Sequence, residues 1–308
     1  MIQIEGLTKR FGKMEALKGI TFEVEKGSVF GFVGPNGAGK STTMSILATL
    51  MAPTSGKAYV GGYDVTKDPK KIRKQIGYMP DFFGVYDNLK AEEYLNFYAS
   101  TYGISQAERM KIIPQLLELV NLSHKKDSYV DTLSRGMKQR LGLARSLVHN
   151  PEVLLLDEPA SGLDPRARIE LREILKELRS MGKTIIISSH ILPELAELSD
   201  VIGIIEEGQM VTIGNVDQIY RQLQGHKQLK IAVLDREHEL IQHLKAKTYI
   251  QGVYQENGYI LADYLGQDEE QIKLLQELVQ ANFPILTFSE VEGNLEQIFL
   301  EITRGVGS

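Results

Sequence analysis

Short, continuously apolar runs punctuate the first two thirds of the chain. "VLLLD" at 153–157 and "TIIIS" at 184–188 show no polar alternation, the pattern of parallel strands buried on both faces. Residues 2–7, 19–25 and 29–33 also read as strands, with turn-like "KRFGKM" and "EKGS" between them, and two more strands are expected near 201–205 and 209–213. Segments of helical length with one apolar face alternate with these runs, notably "STTMSILATLM" from residue 41 and "PRARIELREILKELRSMG" from residue 165. Strands alternating with helices predict an α/β domain with a largely parallel sheet. After Gly214 a short helical segment leads into "GHKQ", which reads as a linker. The rest runs strand, helix, strand, strand, helix, strand and a last helix, "NLEQIFLEIT", an order resembling the split βαβ unit of ferredoxin-like domains. The expected division is a first domain over 1–215, a linker over 216–228 and a small α+β accessory domain over 229–308.

Composition narrows the class without naming it. The chain has 308 residues, enough for two domains, and its 43% hydrophobic content is that of an ordinary folded protein rather than a disordered one. With no cysteine it has neither a disulfide framework nor a thiolate metal site, which is compatible with a reducing cytosol. A net charge of -5 argues against a nucleic-acid-wrapping surface, and no nucleic-acid partner is expected. The start, Met-Ile-Gln-Ile-Glu, lacks the basic-then-apolar layout of a signal peptide, and no stretch approaches the roughly 18 apolar residues of a membrane span. Any work done on a membrane then needs another chain for the membrane part.

The candidate chemistry begins at "GPNGAGKST". Gly34, Pro35, Asn36, Gly37, Ala38, Gly39, Lys40 and Ser41 fit G-x-x-x-x-G-K-[ST], placed after a predicted strand and before a predicted helix. Glycines let backbone N–H groups turn inward on an anion, and the following helix adds its positive end. Lys40 is expected on the β and γ phosphates, Ser41 on Mg²⁺ and Thr42 on a nearer phosphate. "VLLLDEP" ends a strand in two acids. Asp157 is assigned to Mg²⁺ and Glu158 to polarising an attacking water. His190, in "IIISSHIL", ends a further strand. A lone histidine is more often structural than catalytic, but this position beyond both nucleotide motifs favours a role at the γ phosphate.

"DTLSRGMKQRLGLARSLVHNPEVLLLDEPASGLD" resembles the ATP-binding cassette ATPases, whose signature loop precedes the acidic strand by one helix and whose D-loop follows it. The resemblance spans residues 2–215 with the motifs in family order. It implies a P-loop NTPase fold with an α-helical signature subdomain, ATP and Mg²⁺ as cofactors, and a head-to-tail pair sandwiching two ATPs. Ser134, Arg135, Gly136 and Asp164 of one subunit then serve the nucleotide of the other, and Phe11 stacks on adenine. The second subunit is either another copy or a paralogue. Arg135 and Met137 depart from the commonest signature, Leu-Ser-Gly-Gly-Gln, in a way similar to the ABC-2-type exporter branch, with its drug, peptide, ion and polysaccharide substrates. Asp81 stands where the family usually has glutamine, and a shorter acid reaches less far toward Mg²⁺.

Aromatic residues crowd positions 82–102, the region that in the family receives a coupling helix, so Phe82, Phe83 and Tyr86 are expected in a docking surface for a separate transmembrane permease. The resemblance therefore implies the ATP-hydrolysing subunit of an exporter, peripheral on the cytoplasmic face of the membrane. The alternative is a soluble cassette ATPase acting in translation or DNA maintenance. Against it, the chain holds one phosphate loop and one signature and lacks the interruptions typical of the DNA-repair members.

Overall fold

The computed structural model describes residues 1–81, 84, 88–215, 218–219, 227–256, 258–266 and 268–291. Phe82, Phe83 and Tyr86, most of the expected linker and the terminal "NLEQIFLEIT" helix lie outside the described residues. The chain divides into two compact units, Met1–Val216 and Asp217–Ser308.

The first unit is built on two sheets. One is antiparallel, in the order β2-β1-β4-β5, from β1 (Ile2–Phe11), β2 (Met14–Val24), β4 (Ser55–Val60) and β5 (Tyr63–Asp64). The other has the order β10-β9-β3-β8-β7-β6, from β3 (Val29–Val33), β6 (Ile76–Met79), β7 (Val153–Leu156), β8 (Thr184–Ser189), β9 (Val201–Glu206) and β10 (Gln209–Gly214). All its neighbours run parallel except β9 and β10. Every residue of β3, β7 and β8 is buried, which is why those strands read as unbroken apolar runs. Phe22 of β2 stacks on Phe30 of β3, with ring centroids 4.8 Å apart, and Phe32 leans on Phe22 at 5.5 Å. These rings sit in the core between the two sheets and give the strand-to-helix turn after Val33 a rigid base.

The first hairpin is longer than its sequence suggests. β1 and β2 pair from Ile2↔Val24 out to Phe11↔Met14, so "KRFGKM" is mostly strand, and the turn is only Gly12 and Lys13. Residues 8–16 are polar or partly exposed, so backbone pairing rather than burial holds them in strands, and three register shifts blur their alternation.

Helices α1 (Lys40–Leu47) and α2 (Pro69–Gln75) follow β3 and β5. Between β6 and β7 the chain forms α3 (Ala91–Thr101), α4 (Gln106–Leu119) and α5 (Arg135–Leu147), a helical layer in which each packs on the other two. α6 (Pro165–Ser180) joins β7 to β8, and α7 (Leu192–Ala196) joins β8 to β9.

The second unit contains β11 (Lys227–Val233), α8 (Glu237–Lys245), β12 (Ile250–Glu256), β13 (Tyr259–Tyr264), α9 (Asp268–Gln280) and β14 (Ile285–Val291). Its antiparallel sheet has the order β12-β13-β11-β14, the split βαβ arrangement. Leu240 and Leu244 of α8 and Leu274 and Leu278 of α9 form a core with Leu229, Ile231, Ile260 and Tyr264 of the sheet. The i, i+4 spacing of each leucine pair puts both side chains on one helix face.

Candidate functional site

The strand-to-helix turn after β3 is shaped by close approach. A Cβ at Gly34 would collide with the carbonyl of Ile205, and Gly39, at φ +114°, would bring one within 2.7 Å of Leu17. The backbone can take this path only without those side chains. α1 then starts at Lys40 with no side chain capping its N-terminus, so its first N–H groups face the loop. Asn36, Gly37 and Ser41 are exposed, Pro35 and Thr42 are half-buried, and Ala38 is buried against the core.

Lys40 crosses this loop. Its ammonium is buried, donates to the carbonyls of Gly34 at 2.6 Å and Pro35 at 3.2 Å, and lies 3.3 Å from Oε1 of Glu158. The ends of β7 and β8 bring the acids to it. Asp157 is 2% exposed, and its Oδ1 accepts from Ser188 Oγ at 2.6 Å. Burial pushes its carboxyl above the usual range, and hydrogen bonds from Ser188 and Ser41 oppose that push. Ser188 also accepts from the backbone N–H of Glu158 at 2.9 Å, so one hydroxyl fixes both acids.

Glu158 has φ +49°, a conformation most side chains avoid. The turn aims its carboxylate between two groups: Oε1 faces Lys40, and Oε2 lies 2.9 Å from Nδ1 of His190. Among the described residues Oε1 accepts no hydrogen bond, which leaves a buried carboxylate oxygen to receive a water proton. His190 remains 43% exposed at the side chain.

The chemistry of Ser41 and Asp157 fits Mg²⁺: a hydroxyl and a carboxylate already hydrogen-bonded to each other, both hard oxygen donors. Among the described residues no group of three or more His, Cys, Asp or Glu gathers to enclose a metal. Asp81 is exposed, and its charge contributes the weakest of the effects that raise Asp157. Tyr78, with its hydroxyl bonded to Ser45, senses both acids and is itself held above the ordinary phenol range by burial.

The signature residues lie elsewhere. Ser134 caps α5, accepting from the N–H of Met137 at 3.3 Å, and Asp164 caps α6, accepting from Ala167 at 2.9 Å. A Cβ on Gly136 would sit 3.0 Å from that of Ala167, so the two helix starts are close-packed. The guanidinium of Arg135 fills the space where Gly162 would carry a side chain. Ser134, Gly136 and Asp164 line an open cavity of about 600 Å³ that no residue of the phosphate loop reaches. Phe11, at the end of β1, is 43% exposed, with the Lys9 ammonium 5.2 Å from its ring centroid.

Sequence reasoning passed over Ser188, although a hydroxyl at the end of an otherwise apolar strand, two residues before His190, was a usable signal. It also passed over Arg140, a charged residue 6% exposed inside α5.

A glycine-shaped strand-to-helix turn backed by a buried acid pair, with two capped helix starts beside a cavity that this turn does not line, is the arrangement of a cassette-type nucleotide-hydrolysing protein. The family model described as "ABC transporter" matches residues 17–161. The linearmycin resistance ATP-binding protein LnrL of Bacillus subtilis (strain 168) is 34% identical over 305 residues, 98% of this chain and 98% of that protein. The bacitracin transport ATP-binding protein BcrA of Bacillus licheniformis is 36% identical, covering 99% of this chain and 98% of that protein. A solved ATP-binding subunit of an ABC transporter superposes with TM-score 0.66 at 33% identity, covering 72% of this chain and 92% of its own. A dimeric cassette in a post-hydrolysis state, bound to ADP and Pi, gives 0.65 at 26% identity, covering 70% of this chain and 99% of its own. The chain belongs to the ATP-binding proteins of ABC transporters, the ATP-hydrolysing subunits of these machines.

Proposed function

We propose that this chain powers an exporter of antibiotic-like compounds by closing on ATP as a head-to-tail pair, with a separate permease carrying the cargo. The observation that carries the catalytic half is Glu158, held between Lys40 and His190, with Oε1 3.3 Å from the Lys40 ammonium and accepting no hydrogen bond among the described residues. In this reading Lys40 leaves the Gly34 and Pro35 carbonyls for the β and γ phosphates, while the backbone of residues 36–39, Ser41 and Thr42 cradles the rest. Ser41 and Asp157, with Asp81 as a further candidate, would hold Mg²⁺, which would neutralise phosphate charge. Glu158 accepts the proton of the attacking water, and His190 keeps its carboxylate aimed. Ser134, Arg135, Gly136 and Asp164 complete the partner's site, and Phe11 stacks on adenine.

The exporter half rests on relatives that match along their whole length. Their names record linearmycin resistance, bacitracin transport and, at 31% identity over 98% of this chain, daunorubicin/doxorubicin resistance. No described helix is long and apolar enough to cross a membrane, so a separate permease holding this subunit at the cytoplasmic face supplies the path. Residues 1–215 act as the cassette, and 229–308 serve regulation or assembly rather than chemistry.

Replacing Glu158 with Gln keeps the shape but removes the base. ATP binding should persist, turnover should fall by about 10²- to 10⁴-fold, and an ATP-held dimer should accumulate on size exclusion. Wild-type turnover in this variant would remove Glu158 from the mechanism.

A further inference from the structure

Two segments that the mechanism keeps apart are wired together in the fold. The first turn of α6 follows the D-loop cap Asp164, which the proposed function places against the partner subunit. The start of α7 follows His190, which aims Glu158. Arg168 of α6 places Nη1 3.0 Å from Oε1 of Glu194 in α7. The other oxygen of Glu194 accepts from Ser189 Oγ at 3.3 Å, and that same Oγ accepts from the N–H of Ile191 at 3.0 Å. The hydroxyl thus ties Ser189 to Ile191 across His190. Ser189 is 4% exposed, and its carbonyl accepts from the N–H of Gly34 at 3.3 Å, so it also touches the phosphate loop. Further along, Arg172 pairs with Glu197 and Arg179 with Asp200. Three cations on one face of α6 therefore meet three acids on and just beyond α7.

We infer that Arg168, Glu194 and Ser189 are positioning residues that carry the state of the D-loop, and hence the presence of the partner, to His190 and Glu158. This rests on the proposed roles of Asp164, His190 and Glu158, and says how one subunit's docking is read at its own acid pair. A displaced α6 drags Glu194, Glu194 turns the Ser189 hydroxyl, and the backbone holding His190 turns with it. Surface ion pairs contribute little to stability. A relay of this kind is therefore felt in turnover, where small misplacements at the reacting groups are costly.

The test uses the full chain with Arg168→Gln, Glu194→Gln, Ser189→Ala and the exchange Arg168→Glu/Glu194→Arg. The three single variants should lower kcat by about tenfold to a hundredfold while KM for ATP stays close to wild type. Their melting temperatures should move by no more than about 2 °C. The exchange restores the α6–α7 ion pair but leaves Ser189 facing a side chain with no acceptor, so it should keep near-wild-type thermal stability without recovering kcat. Recovery of kcat in the exchange variant would reduce the arrangement to a plain ion pair and overturn the relay, as would wild-type kcat in the single variants. If the exchange variant fails to fold, Ser189→Ala, which leaves the ion pair intact, decides: reduced kcat at unchanged KM supports the relay, and unchanged kcat sinks it. Glu158→Gln, measured alongside, separates the two levels. Full turnover there removes the catalytic reading itself, whereas lost turnover there with normal single relay variants removes only the relay.

Discussion

At the scale of single residues, Asp157 shows what the site costs the fold. Its carboxyl is raised above the ordinary 3.8, chiefly by burial. A raised acid binds its proton more tightly when folded, so its contribution to stability is complete below the ordinary carboxylate pKa and is lost as pH rises through the raised value. Above that range the buried charge is therefore a liability that a cation would offset. Asp157→Asn should raise the melting temperature of the nucleotide-free protein, by an amount equivalent to about 1 kcal/mol, and abolish the further stabilisation by Mg²⁺-ATP. A lower melting temperature without nucleotide would contradict this account. The acid pair itself was legible, because two carboxylates closing an apolar strand have few structural uses. The hydroxyl of Ser188 that orders them is marked only by its place two residues before His190, since serine at a strand end has many structural uses.

At the scale of elements, legibility followed burial. β3, β7 and β8 announced themselves because both their faces are covered, and the second unit announced itself because "YILADY" alternates and α8 and α9 each carry a leucine pair at i, i+4. The far half of the first hairpin stayed hidden because its pairing is made by backbone groups that every residue has. Arg140 stayed hidden because a cation in a helix reads as surface. In the fold it donates to the carbonyls of Val120 and Asn121 at the end of α4, at 3.0 and 3.4 Å, and pairs with Glu170 of α6 at 3.2 Å. It thereby fixes the signature helix against two neighbours. Arg140→Met should destabilise the protein by about 1–3 kcal/mol in chemical denaturation. Arg140→Lys should recover little of that, because one ammonium cannot reproduce the fork.

At the scale of the molecule, the proposed site residues form two groups within a single subunit. Lys40, Asp157, Glu158 and His190 converge, while Ser134, Gly136 and Asp164 line a cavity that none of them borders. If the two groups meet only across a dimer, defects in them must complement. Lys40→Ala and Ser134→Ala should each be nearly inactive as pure proteins. In a mixed dimer, however, one site joins the intact phosphate loop of one subunit to the intact signature of the other, and its second site carries both lesions. Equal amounts allowed to exchange should regain about a quarter of wild-type turnover, since half of the pairs are mixed and each has one good site of two. A subunit that completed its own site would regain nothing on mixing, because every chain would still carry its own lesion. Measured against the protein concentration needed for exchange, the regained rate should also rise more steeply than linearly, which a monomeric enzyme cannot do.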